Sequence, residues 1–99
     1  MPIKCLNQFS QDWRIKARMV KKPTALRTYK NDRGEGHIFN FDLIDREGTM
    51  IQATMFNDVA IRWFEQLQEN KVYIFSGGQI KMANKKYTSI KNDFCITFD

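Results

Sequence analysis

The chain has 99 residues, of which 42% are hydrophobic and 13% aromatic, and its formal net charge at pH 7 is +5. A chain of this length forms one domain with one modest core, and no apolar run approaches the roughly 18 residues of a membrane-spanning helix. The basic balance fits an anionic partner, although the placement of the charges decides more than their sum.

The first predicted strand covers residues 13–19, where apolar and cationic side chains alternate without interruption. A period of two indicates a strand with one buried face. The other face carries a row of cations, which are Arg14, Lys16 and Arg18. This row fits nucleic-acid contact or an ordinary solvated surface, and the solvated surface is favoured. Leu6 and Phe9, which precede the strand, are expected to pack against the core.

Residues 26–36 are predicted to form a long loop, because they include two glycines and show no apolar periodicity. The segment carries several cations and one aromatic ring, Tyr29. A long loop within a short domain is usually functional or disordered. Two interpretations stay open, a solvated hairpin connection and a loop that grips phosphates and stacks bases.

Two further strands are predicted at residues 37–45 and 50–56, joined by a turn that contains Gly48. A helix is expected to begin at Asn57 or Asp58, where either side chain would cap it, and to end near Asn70. Its apolar face recurs with helical spacing and consists of Ala60, Trp63, Phe64 and Leu67. A long strand at residues 71–82 is interrupted by paired glycines, which indicate a bend. The last strand is predicted at residues 87–98.

Five strands with one helix between the third and the fourth predict an all-β fold, a five-stranded Greek-key OB-fold barrel. In this fold, oligonucleotides bind strands two and three and the loops that join strands one to two and four to five. Residues 26–36 occupy the first of these loop positions, and Lys81 and Tyr87 flank the second. Because the chain ends in a strand, we expect residues 1–99 to be a single domain excised from a larger multi-domain subunit.

Phe56 has the opposite parity to the apolar residues of its strand, so its ring is expected on the outer, polar face. With Tyr29 and Tyr87 it would provide stacking platforms, since every base presents a π-face. Arg27, Arg33 and Lys81 would contact phosphates. Asn57 would either hydrogen-bond a base edge or cap the helix. The predicted nucleic-acid-binding residues are Arg27, Thr28, Tyr29, Arg33, Phe56, Asn57, Lys81 and Tyr87.

Catalysis, cofactors and metals are not predicted. His37 is the only histidine, and no acid–base pair has a convincing spacing. Cys5 and Cys95 form no C-x-x-C pair, so the ligands of a zinc site are missing. Without a secretion signal, two buried free thiols in a reducing compartment, the cytosol or nucleus, are favoured over a disulfide.

Several segments resemble the large subunit of replication protein A, in particular the first of its tandem single-stranded-DNA-binding OB domains. These segments are residues 27–36, 53–57, 71–73, 83–88 and 91–93. The resemblance implies sequence-tolerant binding of single-stranded DNA in replication, repair and recombination, without catalysis. It implies sister OB domains and the other subunits of a heterotrimer as partners, no membrane, and a place in the nucleus. In the family, residues that match Arg27, Arg33, Lys81, Phe56, Tyr87 and Asn57 contact the DNA.

Some positions depart from the family pattern. Tyr29 stands where the family usually has Trp, Gln52 where it commonly has Arg, and Cys95 where it often has a carboxylate. Each departure puts one DNA contact in question. Two alternatives therefore stay open, a telomeric single-stranded-DNA-binding subunit of a telomerase holoenzyme and a protein-interaction OB domain with a non-binding groove.

Overall fold

The computed structural model describes residues 2–32, 34–83, 90 and 92–98. A short 3-10 turn, Ile3–Cys5, comes first. The strands that follow are β1 (Arg14–Lys21), β2 (Arg27–Asn31), β3 (Gly34–Ile44), β4 (Met50–Phe56), β5 (Val72–Ser76), β6 (Gln79–Met82) and β7 (Phe94–Phe98). Helix α1 (Asn57–Phe64) lies between β4 and β5.

The strands form one sheet in the order β5-β1-β3-β4-β7-β6, with β2 paired to β3. All pairs are antiparallel except β4 and β7. The two ends of this order, β5 and β6, are halves of one predicted strand that bends at Gly77, whose φ is 78°, and Gly78. The sheet thus closes on itself as a barrel, and the predicted OB-fold is confirmed.

Every second residue along β1, β3 and β4 points into the barrel, and these side chains fill its interior. On β1 the burial alternates through buried Ile15, Ala17 and Met19, with exposed cations between them. The fully buried side chains of β3 and β4 are Phe39, Phe41, Leu43, Ile51 and Ala53. Trp13 is also buried, and its indole nitrogen donates to the carbonyl of Gly78 across 3.2 Å, which ties β1 to the bend. The predicted period of two is confirmed for these strands.

The predicted long loop at residues 26–36 is wrong. Residues 27–31 and 34–36 belong to β2 and β3, which pair from Arg27 opposite Ile38 to Asn31 opposite Gly34. On β2, Tyr29 is half-buried and the other four residues are exposed. The segment therefore lacks the apolar alternation that indicates a strand in sequence. Backbone pairing to β3, rather than burial, makes it a strand.

The helix is shorter than predicted. It ends at Phe64, and the amides of Gln66 and Leu67 both bond to the carbonyl of Trp63 in the turn that follows. Leu67 is buried although it lies beyond the helix, whereas Trp63 and Phe64 are half-buried against the core. The apolar spacing therefore continues through a turn, and the predicted end near Asn70 is wrong.

Three smaller observations complete the fold. Leu6 is buried as expected, but Phe9 is 80% exposed, so its predicted packing is wrong. Cys5 and Cys95 are both free thiols, as predicted, but Cys5 is exposed and Cys95 is only half-buried, so their predicted burial is wrong. In the described part of the chain, no helix is long and apolar enough to pass through a membrane.

Candidate nucleic-acid interface

The outer face of β2, β3 and β4 brings three of the predicted binding residues together, Arg27, Tyr29 and Phe56. Residues that pair directly across antiparallel strands project from the same side of the sheet. Arg27 pairs with Ile38, which pairs with Phe56, so these three side chains form one row across the hairpin and β4. Tyr29 lies on the same face, opposite Gly36.

Phe56 has the outward parity that the sequence predicts. The buried residues of β4 are Ile51, Ala53 and Met55, and Phe56 is half-buried on the other side. Its ring meets the ring of Tyr29 edge to face, with centroids 6.4 Å apart and planes at 86°. Because the two rings are nearly perpendicular, only one of them can lie parallel to a given base. They form an aromatic corner, Tyr29 and Phe56, and not two parallel platforms.

Asn57 is held by the aromatic corner. The Tyr29 hydroxyl donates to the Asn57 side-chain oxygen across 3.0 Å. Asn57 does not cap the helix, since Phe56 occupies the cap position and no side chain bonds the first helical amides. With φ at 55°, Asn57 has a left-handed backbone conformation, which asparagine tolerates better than most residues. Its side-chain NH2 group remains a donor for a ligand.

Gly36 makes this arrangement possible. A Cβ atom there would overlap the side-chain oxygen of Asn57 and would lie 2.5 Å from Cζ and from the hydroxyl of Tyr29. The Tyr29 ring therefore packs directly on the β3 backbone, in the way that an aromatic residue covers a glycine across a strand pair. Sequence reasoning missed Gly36, because a glycine signals close backbone approach only within a strand and residues 26–36 are predicted as a loop.

A polar floor extends from the aromatic corner across the outer face toward β6. It consists of Asn40, Thr54, Thr97 and Gln79, which pair in that order across β3, β4, β7 and β6. Thr54 donates to the side-chain oxygen of Asn40 across 2.7 Å. Sequence reasoning missed these residues, although their outward parity could have found them. Hydroxyls and amides in such a row can bond base edges or phosphates.

Lys81 lies on the same face, in a second row of paired residues next to the polar floor. It pairs with Cys95, which pairs with Gln52, which pairs with Asp42. Burial raises the pKa of the Cys95 thiol, and the charge of Lys81 partly offsets this effect. Burial likewise raises the pKa of Asp42, against the opposing charge of Lys21. Lys81 is exposed, so its ammonium group is free to meet a phosphate.

The remaining predicted residues divide into three groups. Arg27 is exposed and lies beside the aromatic corner. Thr28 pairs with His37 and has the opposite parity to Tyr29, so it faces away from the other predicted residues. Arg33 and Tyr87 lie outside the described residues.

The fold and this face define a small barrel of the kind that binds nucleic acids. A family model described as an OB-fold nucleic acid binding domain matches residues 13–95. The chain therefore belongs to the OB-fold nucleic acid binding family.

The chain is similar in sequence to replication protein A subunits. A replication protein A 70 kDa DNA-binding subunit of Arabidopsis thaliana is 47% identical over 98 residues, which are 99% of this chain and 15% of the relative. The protein of the same description from Xenopus tropicalis is 44% identical over 99 residues, which are 100% of this chain and 16% of the relative. The chain thus spans only a small part of these curated relatives.

Two solved structures of replication protein A are also similar to the chain. A replication protein A heterotrimer bound to single-stranded DNA superposes with a TM-score of 0.91 at 38% identity, over 100% of this chain and 22% of that one. The solution structure of DNA binding domain A of S. cerevisiae replication protein A superposes with a TM-score of 0.81 at 34% identity, over 100% of this chain and 85% of that one. Within its family, the chain is therefore similar to OB domains of the replication protein A large subunit, and to domain A in particular.

Proposed function

We propose that this chain binds single-stranded DNA without strong sequence preference and serves DNA replication, repair and recombination. The observation that carries the proposal is the aromatic corner of Tyr29 and Phe56 on an open outer face, with Arg27 beside it and Lys81 farther along the same face. The names of the relatives and of the matching structures support it. We further propose that residues 1–99 are a single domain of a larger subunit.

We expect the aromatic rings to contact the bases and the cations to contact the phosphates. A base stacks on one ring of the aromatic corner, and such stacking contributes about 1–3 kcal/mol per base whichever base is present. The phosphates then lie toward Arg27 and Lys81. Among the described residues neither cation has an acidic partner, whereas Lys30 pairs with Glu35 across 3.9 Å. Asn57 and the polar floor bond the bases and the backbone between these contacts.

The partners follow from the same similarity. One matching structure is a heterotrimer with DNA, which supports sister OB domains and two further subunits as partners of this chain. The relatives are described as DNA-binding subunits, and this supports binding without catalysis and without a cofactor. Chromosomal DNA of plants and animals lies in the nucleus, which supports a nuclear place. The same descriptions favour replication protein A over a telomerase subunit or a protein-interaction domain.

The direct test is titration of a fluorescein-labelled oligo(dT) with the 99-residue chain, followed by competition with a duplex of equal length. We expect the single strand to bind and the duplex to compete poorly, because stacked bases must be unpaired. Phe56→Ala should weaken binding roughly 5- to 150-fold, the equivalent of one stacking contact. Ile61→Ala, at an exposed apolar position on α1, is the control and should leave the Kd unchanged. Equal competition by the duplex would refute the proposal.

A further inference from the structure

A second cationic surface lies on the outer face of β1 and β5. The exposed cations of β1 pair with β5 as Arg14 opposite Ser76, Lys16 opposite Ile74 and Arg18 opposite Val72. Ile74 is 65% exposed and Val72 is 54% exposed. Directly paired side chains are neighbours in a sheet, so each of these two aliphatic side chains sits beside a cation.

A groove adjoins this pair of strands. The β1–β5 groove has a volume of about 540 Å³ and is lined by side chains that include Lys16, Arg18, Ile44, Asp45, Arg46 and Val72. A neighbouring depression continues it past Lys16 and Arg46 toward Pro2. The groove therefore combines an aliphatic floor with a cationic rim, and none of its lining residues is aromatic.

The rim cations are not neutralised within the described part of the chain. The ion pairs there join Lys4 to Glu47 and Lys30 to Glu35, and neither involves the rim. Asp45, the carboxylate that lines the groove, accepts hydrogen bonds from the backbone amides of Ile3, Glu47 and Thr49. Three cations and this one carboxylate line the groove, so the lining keeps a net positive charge.

This groove is separate from the aromatic corner. On β3, Ile38 pairs with Phe56, whereas Ile44 pairs with Arg18 of β1. The separation between these two positions of β3 corresponds to about 20 Å of strand. A base stacked on Phe56 is therefore too far away to involve the β1–β5 groove.

We propose that the β1–β5 groove docks an acidic segment of a partner protein in which Asp or Glu residues alternate with Leu, Ile or Phe. The carboxylates would meet Lys16, Arg18 and Arg46, and the apolar side chains would cover Val72 in the groove and Ile74 beside it, opposite Lys16. Nucleic acid fits less well, because single strands are held by stacking on aromatic rings and this groove has aliphatic side chains. The proposal does not depend on the proposed function.

The probe is a fluorescein-labelled 15-residue peptide in which Asp and Glu alternate with Leu, titrated with the 99-residue chain. One control peptide replaces Leu with Ser, and the other replaces the acids with Asn and Gln. We expect both control peptides to bind at least tenfold more weakly. A double variant, Lys16→Glu with Arg18→Glu, should lose at least tenfold in peptide affinity, and Ile74→Ser at least threefold. Arg62→Glu, a charge reversal on exposed α1, should stay within twofold, and thermal melts confirm folding of each variant.

The same variants distinguish this proposal from DNA binding. Phe56→Ala should leave peptide affinity unchanged, and the double variant should leave oligo(dT) affinity unchanged. If oligo(dT) displaces the peptide, or if the double variant weakens both ligands equally, the groove belongs to the path of the DNA and the proposal is overturned. Equal binding of the Leu-to-Ser peptide would reduce the groove to general polyanion attraction and would also overturn it.

Discussion

The hydroxyl of Tyr29 donates a hydrogen bond to the side-chain oxygen of Asn57 across 3.0 Å, between residues 28 positions apart in the chain. This bond ties the β2–β3 hairpin to the start of α1. It also orients the Asn57 amide and holds the Tyr29 ring perpendicular to that of Phe56. The face that would meet a base is therefore set by two elements that only the fold brings together.

Removing this hydroxyl should weaken DNA binding. Tyr29→Phe keeps the ring but loses a hydrogen bond with a net contribution of about 0.5–1.5 kcal/mol, so the Kd for oligo(dT) should rise roughly two- to tenfold. The matched control is Tyr73→Phe, which removes a hydroxyl that accepts from the Gln68 amide away from the aromatic corner. It should leave the Kd unchanged. Equal affinities for the two variants would mean that the hydroxyl has no role in binding.

Adding one methyl group beneath Tyr29 should disturb the same site. Gly36→Ala would force the Tyr29 ring and the Asn57 amide away from β3, and overpacking of this kind costs about 1–3 kcal/mol of stability. We expect lower thermal stability and weaker oligo(dT) binding together. Gly48→Asn is the control, because Gly48 faces open space with a φ of 85°, which asparagine tolerates. A fully stable, fully binding Gly36→Ala would contradict the close approach described here.

The cations predicted to contact phosphates should make binding depend on salt. For single strands the slope of log K against log salt changes by roughly 0.7 for each neutralised phosphate. Lys81→Ala and Arg27→Ala should each flatten the slope by about this amount, and we expect the same of Arg33→Ala. Titration of oligo(dT) at several salt concentrations measures the slope, with Arg62→Ala as the control. A variant whose slope equals that of the unmodified chain carries no phosphate contact.

Truncation of an inner ring and of an outer ring should have different effects. Phe41 is 1% exposed, so Phe41→Ala should cost about 3–5 kcal/mol of stability by opening a cavity. Phe56→Ala should change stability far less, because the ring lies on the outer face. Trp63 is only half-buried, so Trp63→Ala should fall between them. Chemical denaturation of the three variants measures these effects, and a Phe56→Ala as unstable as Phe41→Ala would place Phe56 in the core.

Asp42 should make stability depend on pH. Burial raises its pKa above the ordinary value of 3.8, so the folded state binds the proton more tightly than the unfolded state. Stability from this group is therefore present below pH 3.8 and is lost as the pH rises through the folded pKa. Asp42→Asn should be more stable than the unmodified chain at neutral pH, and this advantage should shrink as the pH falls through the folded pKa and be absent below pH 3.8. An advantage that persists unchanged in acid would rule out desolvation as its cause.

The sequence by itself determined the barrel and the outward position of Phe56. Burial on a strand alternates with every residue, so the pattern from Ile15 to Met19 and the parity of Phe56 can be read from neighbouring residues. The glycines at 77 and 78 indicated the bend, because paired glycines within a strand are themselves a local signal of a bend. The resemblance to replication protein A likewise depended on short runs of residues.

Tertiary structure alone decided how the outer face is built. β2 has no apolar alternation, and it is a strand because its backbone pairs with β3 in a register that no local pattern encodes. That register turns Thr28 away from Tyr29 and sets Tyr29 on Gly36. It also brings the Tyr29 hydroxyl to Asn57. The sequence alone left two roles open for Asn57, a base-edge contact and a helix cap. Contacts between distant residues depend on strand register and barrel closure, and these emerge only when the whole chain has folded.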